Sequence, residues 1–401
     1  MRKSIKGLTG IVGLGVPFMA AADSFNPDIS LILDGRYTDL EKDHYELPGF
    51  QLGGEAGPGT EGFSLGHNEL AISSNIDDRF YGKMTTVFAD HGGETEVELE
   101  EAYVETLGLG AGATIRAGRF FSGVGYLNEQ HPHAWDFTDA PLIYRGLFGN
   151  KLRDDGLQVR WVAPTDLFMQ FGAEVGRGER FPAGGAANDG TGTRAAFAEF
   201  GGDIGRSRSH SWLLGLSRWE ADVEDRAGGG HGHDHGGAEE AVFAFSGDST
   251  VNAVDFVWKW APLGNPTERN FKFQAEYFQR DEEGDISHVH DCVPHTSSYD
   301  GTQSGWYAQT VYQFMPRWRV GLRYDQLNVD NEGSNPTLLA NAGLDDEDHT
   351  PTRSSIMVDY ARSEYSRLRL QYNRDESSPE AEDQLYVQYI MSLGSHGAHK
   401  F

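Results

Sequence analysis

A chain of 401 residues with a formal net charge of −28 lacks the basic footprint that nucleic-acid binding needs. Beyond its first residues it has no run of about twenty apolar residues, so no transmembrane helix is expected. Its one cysteine, Cys292, rules out an internal disulfide.

Taken from the start, Arg2, Lys3 and Lys6 precede a short apolar, glycine-rich run and the small-residue stretch Ala20-Ala21-Ala22. Residues 1–22 therefore read as a cleaved secretory signal peptide. Residues 23–401 read as one domain. Alternation of apolar and polar residues then predicts strands over 29–39, 63–75, 80–88, 97–107, 114–121, 157–162, 167–175, 194–200, 211–219, 251–260 and 270–278. Five more follow over 306–314, 317–325, 353–360, 367–373 and 384–393. In the last, Leu385, Val387, Tyr389, Met391 and Leu393 alternate with Gln384, Gln388 and Ser392. One face of each strand is apolar and the other is polar and arginine-bearing, so lipid outside and water inside is the environment that fits. In the fourth strand Glu98, Glu100, Glu101 and Glu105 break the alternation and predict a bulge or a register switch.

The total is about sixteen strands, an even number within the range of bacterial barrels. Connections after even strands are short and those after odd strands mostly long, acidic and histidine- or glycine-rich. The fold class expected is all-β: a transmembrane antiparallel barrel with long extracellular loops, short periplasmic turns and no plug domain. Its address is the outer membrane of a Gram-negative cell. The partners expected are outer-membrane lipid and lipopolysaccharide, the barrel-assembly machinery, and small solutes or metal ions. A homotrimer is expected by analogy with porins of this size.

A barrel of this size leaves an aqueous lumen. The residues expected to line it include Arg116, Arg160, Arg317, Arg319, Arg323, Arg353, Arg367 and Arg369. The 122–154 connection brings Glu129, Asp136 and Asp139 with Tyr126, Trp135 and Phe137, and is the candidate constriction loop. Folded inward, its acids would face the arginines across the pore and set up a transverse field. The plainer alternative is that the arginines pair with lumen acids and hold the barrel's shape.

Histidines concentrate in the connections. The 224–248 loop carries His231, His233, Asp234 and His235, and the 280–302 loop carries His288, His290, Cys292 and His295. Imidazole and carboxylate at alternate positions of a flexible loop suit zinc, copper or nickel, loosely bound. The alternative is a solvated low-complexity loop. No cofactor is required by anything in the sequence. No tight C-x-x-C or H-E-x-x-H spacing exists, and His67 with Ser64 is the one pair that would suit an enzyme.

Seven stretches, among them FNPDISLILDGRYTD (25–39), EVELEEAYVETL (96–107), RAGRFFSGVGYLNEQHPHAWDF (116–137) and LYVQYIMSLGSHGAHKF (385–401), resemble proteobacterial outer-membrane barrels. These are labelled porin-like or zinc-regulated TonB-dependent receptors, and RAGRFFSGVGY is also similar to phosphate-selective porins. The resemblance implies zinc uptake across the outer membrane. The first predicted strand begins close to the cleavage site, which favours a passive channel over a receptor with a plug. The expected function is a porin-like channel, not an enzyme, for small hydrophilic solutes and divalent metal. An energised zinc receptor and an adhesive or enzymatic barrel are the alternatives.

Overall fold

A computed structural model describes residues 26–394, apart from 43–44, 54–55, 92–93, 185–189, 206–208, 229–241 and 291–292. The proposed signal peptide, and His231, His233, Asp234 and His235, lie outside the described residues.

The chain opens with β1 (Asp28–Asp39), β2 (Gly62–Leu65), β3 (Asn68–Asn75), β4 (Phe80–His91), β5 (Glu94–Thr106) and β6 (Ala113–Phe121). It continues with α1 (Leu142–Phe148), β7 (Arg153–Val162), β8 (Phe168–Gly176), β9 (Thr193–Ile204), β10 (His210–Ala227) and β11 (Phe243–Trp260). It ends with β12 (Asn270–His290), β13 (Val293–Met315), β14 (Trp318–Gly333), α2 (Pro336–Asn341), β15 (Thr352–Ser363), β16 (Ser366–Glu376) and β17 (Glu382–Gly394). Every sequential pair from β3 onward is antiparallel, and β1 closes the ring against both β17 and the β2–β3 segment. β2 and β3 share one place in that ring, so the barrel has sixteen staves. Closure of the ring pairs each stave with a neighbour on both sides, as membrane-spanning backbone requires.

The outward face carries the apolar members of each alternation. Leu322 is 56% exposed, Leu370 52% and Leu368 47%, values that a water-soluble sheet would not leave in rows on adjacent strands. Ring pairs mark the short-turn end of the wall: Trp161 with Phe171, Trp258 with Phe271, Trp318 with Tyr360. Amphipathic rings at that level belong to the lipid–water boundary.

Two expectations from the sequence need correcting. The 280–302 segment is not a loop: β12 and β13 run through it as a hairpin, with His288 opposite His295 in the register. Likewise β10 and β11 extend to Ala227 and Phe243, so the 224–248 loop is shorter than expected. A tilted strand crosses hydrocarbon with about ten residues, whereas β12 has 21 and β13 has 23. Beyond the hydrocarbon their outward faces need not be apolar, so the outer halves lose the alternation that identifies a strand in sequence, although Ile286 and Tyr299 stay buried on the inward face.

The lumen is packed. The 122–152 connection dips inside, and all seven residues of α1 are buried there. Leu47 and Phe50 of the 40–61 connection join the same apolar cluster, which meets Trp219, Phe278, Tyr307 and Leu327 of the wall. Polar and apolar inward side chains are thus segregated by depth and side.

Replacing Leu322 by arginine puts a charge on the lipid face and should destabilise the barrel by about 2–4 kcal/mol if it lies near the midplane. The denaturant midpoint of reversible folding into phospholipid vesicles is the measurement.

Candidate functional site

The inner surface is built around the infolded 122–152 segment. Its carboxylates do not face the arginines across water; they touch them. Asp139 Oδ1 lies 2.8 Å from Arg323 Nη2, and Asp139 Oδ2 lies 2.8 Å from Arg353 Nη1 and 3.1 Å from Arg145 Nη2. Gln371 and Asn373 also donate to Asp139, at 2.6 and 3.2 Å. Asp136 is gripped by Lys272 at 3.0 Å and Arg319 at 2.9 Å. Glu129 pairs with Arg160 of β7. The loop backbone is held as well: Arg353 donates to Ala140 O, Arg369 to Trp135 O and Arg367 to His133 O. In the other direction Leu142 N donates to Asp325 at 2.9 Å and Thr138 N to Gln371 at 2.7 Å. The transverse field expected from these acids therefore does not form across open water.

Arg116 is in the lumen too, paired with Glu105 at 2.6 Å. Arg317 is not. It sits in the two-residue turn between β13 and β14 with φ of 75°, exposed, because the strand ends one residue before the turn rather than beginning at it. His288 stacks on Phe243 in the outer hairpin, and His295 is exposed there. His290 Cα pairs with Val293 in the same hairpin. These positions lie at the outer ends of β12 and β13.

The glutamates of β5 produce the second feature. Thr85 pairs with Glu101 while Thr86 pairs with Leu99, so Glu100 is the extra residue of a bulge. The bulge shifts the phase of alternation by one. Glu98 and Glu100 before it, and Glu101 and Glu105 after it, all point inward. Each finds cations: Glu98 meets Arg153 and Arg180, Glu101 meets Lys83 at 2.6 Å, and Glu105 meets Arg116. Glu100 meets imidazoles instead. Its Oε1 is 3.2 Å from His67 Nε2, and its Oε2 is 3.1 Å from His131 Nδ1. Glu69 of β3 joins them, 2.8 Å from His133 Nδ1 and 3.2 Å from His131 Nδ1.

His67 reaches this point because the stave breaks between β2 and β3. At Gly66 a Cβ would lie 2.3 Å from Arg36 Nε and Asp34 Oδ2, so the stave makes room there for that ion pair. Asp34 in turn accepts from His67 N at 3.2 Å. Sequence reading placed His67 beside Ser64; its ring is instead aimed at two carboxylates.

The loop's own titratable groups follow their surroundings. Burial pushes the His131 imidazole down, but Glu69, Glu101 and Glu100 outweigh it and hold its pKa well above the usual histidine value. For His133 burial wins and the pKa falls. Burial raises the Asp139 pKa, yet Arg323, Arg353 and Arg145 together hold the carboxyl far below the ordinary range.

No family model matches the chain. An uncharacterized protein of Aquifex aeolicus is 30% identical over 408 residues, covering 96% of this chain and 81% of the relative. Among solved structures, OmpT of Vibrio cholerae with loop L8 deleted superposes with a TM-score of 0.55 at 10% identity, over 92% of this chain and 100% of that one. OprB of Pseudomonas putida gives 0.54 at 13% identity, over 92% and 94%. The outer membrane channel DcaP of Acinetobacter baumannii gives 0.50 at 12% identity, over 92% and 97%. At such identities the likeness is one of fold.

Asp139→Asn leaves three guanidiniums around a neutral amide and should cost about 3–5 kcal/mol of loop anchoring. Protease cleavage within 122–152, mapped by mass spectrometry, should appear in this variant and be absent from the parent. The sign with pH follows from the depressed pKa: the Asp139 contribution is fully present above the unfolded value near 3.9 and is lost only as pH falls through the lower folded value. The parent loop should therefore stay protected in this region from pH 7 down to about 4.5.

Proposed function

The chain belongs to one family with the Aquifex aeolicus protein, and we propose that it is a porin-like channel of the outer membrane, passing small hydrophilic solutes without catalysis. The observation that carries this reading is the infolded 122–152 segment, pinned inside a closed sixteen-stave barrel by Asp136 and Asp139. A loop fixed inside the wall sets the width and charge of whatever path remains, which is how wide barrels acquire selectivity. The inward groups that keep partial contact with solvent, such as Arg319, Lys272, Lys83 and His67, line that path.

Divalent metal, zinc foremost, is the cargo we propose. Glu283, Asp285, Asp300, Glu332 and Asp345 line one cleft near the outer ends of β12–β14, and carboxylates so placed concentrate cations at a pore mouth. His231, His233, Asp234 and His235, with His288, His290 and His295 of the outer hairpin, would add loose zinc capture there. The assembly we propose is a homotrimer.

One observation favours a second reading, a substrate-specific receptor that opens only when energised. α1 fills the interior with Leu142, Ile143, Tyr144 and Leu147 at 0% exposure. Such a barrel would conduct only when the segment moves.

Single-channel recording of refolded mature protein in a planar bilayer separates the two. The channel reading expects a steady, cation-preferring conductance that rises several-fold when residues 142–148 are removed and that changes on adding Zn²⁺. Silence in the intact protein, with conductance appearing only after that deletion, supports the gated receptor. A steady anion-selective conductance indifferent to Zn²⁺ keeps the channel and removes zinc as cargo.

A further inference from the structure

The contact between the infolded loop and the β3–β5 wall gathers more imidazole and carboxylate than lining a solute path calls for. His67 and Glu69 are two residues apart and share the lumen face. The bulge at Glu100 aims a third donor at the same point. One donor atom from each of His67, Glu69 and Glu100 lies within 4.8 Å of the other two. His67 Nε2 is 3.4 Å from Glu69 Oε1 and 3.2 Å from Glu100 Oε1. That nitrogen is buried and makes no hydrogen bond. From the loop, His131 Nδ1 approaches both carboxylates, at 3.2 and 3.1 Å.

The spacings among His67, Glu69 and Glu100 are those of ligands around a small cation, and His131 stands beside this set against the second oxygen, Oε2, of each carboxylate. Four ligands held tetrahedrally at about 2.0–2.1 Å from a metal are themselves roughly 3.4 Å apart. The charge also fits. Two carboxylates with two neutral imidazoles sum to −2. Lys83 pairs with Glu101 at 2.6 Å, and both meet His131 at its far nitrogen, Nε2, at 3.1 and 2.9 Å, away from the Nδ1 that faces the set. His133, 2.8 Å from Glu69 Oε1, orients Glu69 from outside the set.

We propose that His67, Glu69, Glu100 and His131 bind one divalent transition-metal cation of the zinc type, which ties the infolded loop to the wall. The ion is a resident of the lumen. Its site stands whether or not the channel's cargo is zinc, and it is distinct from the histidines of the outer loops. Bound there, the cation fastens the loop to β3 and β5, opposite the Asp139 anchor on β14 and β15. Without it, the same groups would be held by imidazolium–carboxylate pairs alone.

The test uses the full mature chain, refolded in detergent and freed of metal, with His231, His233 and His235 replaced by alanine to remove the competing loop. Titration with Co²⁺ should give visible ligand-field bands that saturate at one ion per chain and are abolished by one equivalent of Zn²⁺. His67→Gln and Glu100→Gln should each eliminate the bands, while Glu105→Gln, which touches Arg116 instead, should leave them. Heat-modifiable gel mobility checks that each barrel has folded. X-ray absorption on the Zn²⁺-loaded parent needs no lumen variant and should report a four-coordinate shell of two imidazoles and two carboxylate oxygens. Absence of bands, bands that survive His67→Gln and Glu100→Gln, or an all-oxygen shell would each overturn the proposal. Binding is read here without any conductance, so its failure and the failure of the channel reading are separate results.

Discussion

Asp139 is a single carboxylate with three guanidiniums and two amides around it, deep inside the barrel, where Asp325 and Asp375 of the wall share Arg323 and Arg353 with it. Arg323 and Arg353 come from the wall, Arg145 from α1 on the loop itself. Remove the acid and three positive charges repel at close range in a poorly hydrated space. Remove the arginines and the loop has a buried anion with only the amides of Gln371 and Asn373 to hold it. Loop and wall therefore fold as one unit, and the position of every other infolded residue follows from this corner. α1 is placed against Phe278 and Tyr307 because Asp139 fixes the chain three residues before it.

The interior is accordingly closer to the core of a globular protein than to the polar lining that a wide barrel suggests. Aromatic edges meet in it, Tyr144 against Phe278 and Phe148 against Phe278. Glu276 sits beside them and accepts from Tyr144 at 2.8 Å and from Leu127 N at 3.0 Å. A carboxylate in such surroundings is tolerated because each of its lone pairs finds a donor. The barrel thus has two interiors. One is dry and apolar around α1, and the other is charged along β3–β6 and β14–β16.

Much of the fold was legible. Each of the sixteen staves overlaps a predicted strand, because lipid enforces alternation wherever the chain crosses it. Glu98, Glu100, Glu101 and Glu105 disclosed a defect in β5 for the same reason. The outer halves of β10–β13 were illegible, since beyond the hydrocarbon the outward face need not be apolar and the inward face mixes buried apolar residues (Phe245, Ile286, Tyr299) with buried charge (Arg226, Glu282). The His67–Glu69–Glu100–His131 cluster was invisible as a unit because its members come from three separate segments. The signals were present piecemeal: H-N-E at 67–69 puts two ligand types on one face, E-E at 100–101 marks the bulge, and H-P-H at 131–133 lies in the one long internal connection. Nothing in a single sequence says that the three meet. Arg317 keeps the phase of Arg319 and Arg323, but β14 begins one residue after it, so it belongs to the turn and not to the lumen face.

The bulge at Glu100 has a consequence for how this chain tolerates change in length. Were Glu100 taken into a regular alternation instead of bulged out, counting back from Glu101 in steps of two would bring Val97 and Leu99 inward and turn Glu98 and Glu96 outward. One residue thus works as a phase marker: it keeps acidic side chains off the lipid on both sides of it. Insertions in the outer connections add chain only where water already surrounds it. Loss of the bulge residue itself would leave the facing of both segments intact, whereas a residue gained or lost elsewhere between Val97 and Glu105 would invert a segment of the wall, so length in this stretch is constrained along with side-chain identity.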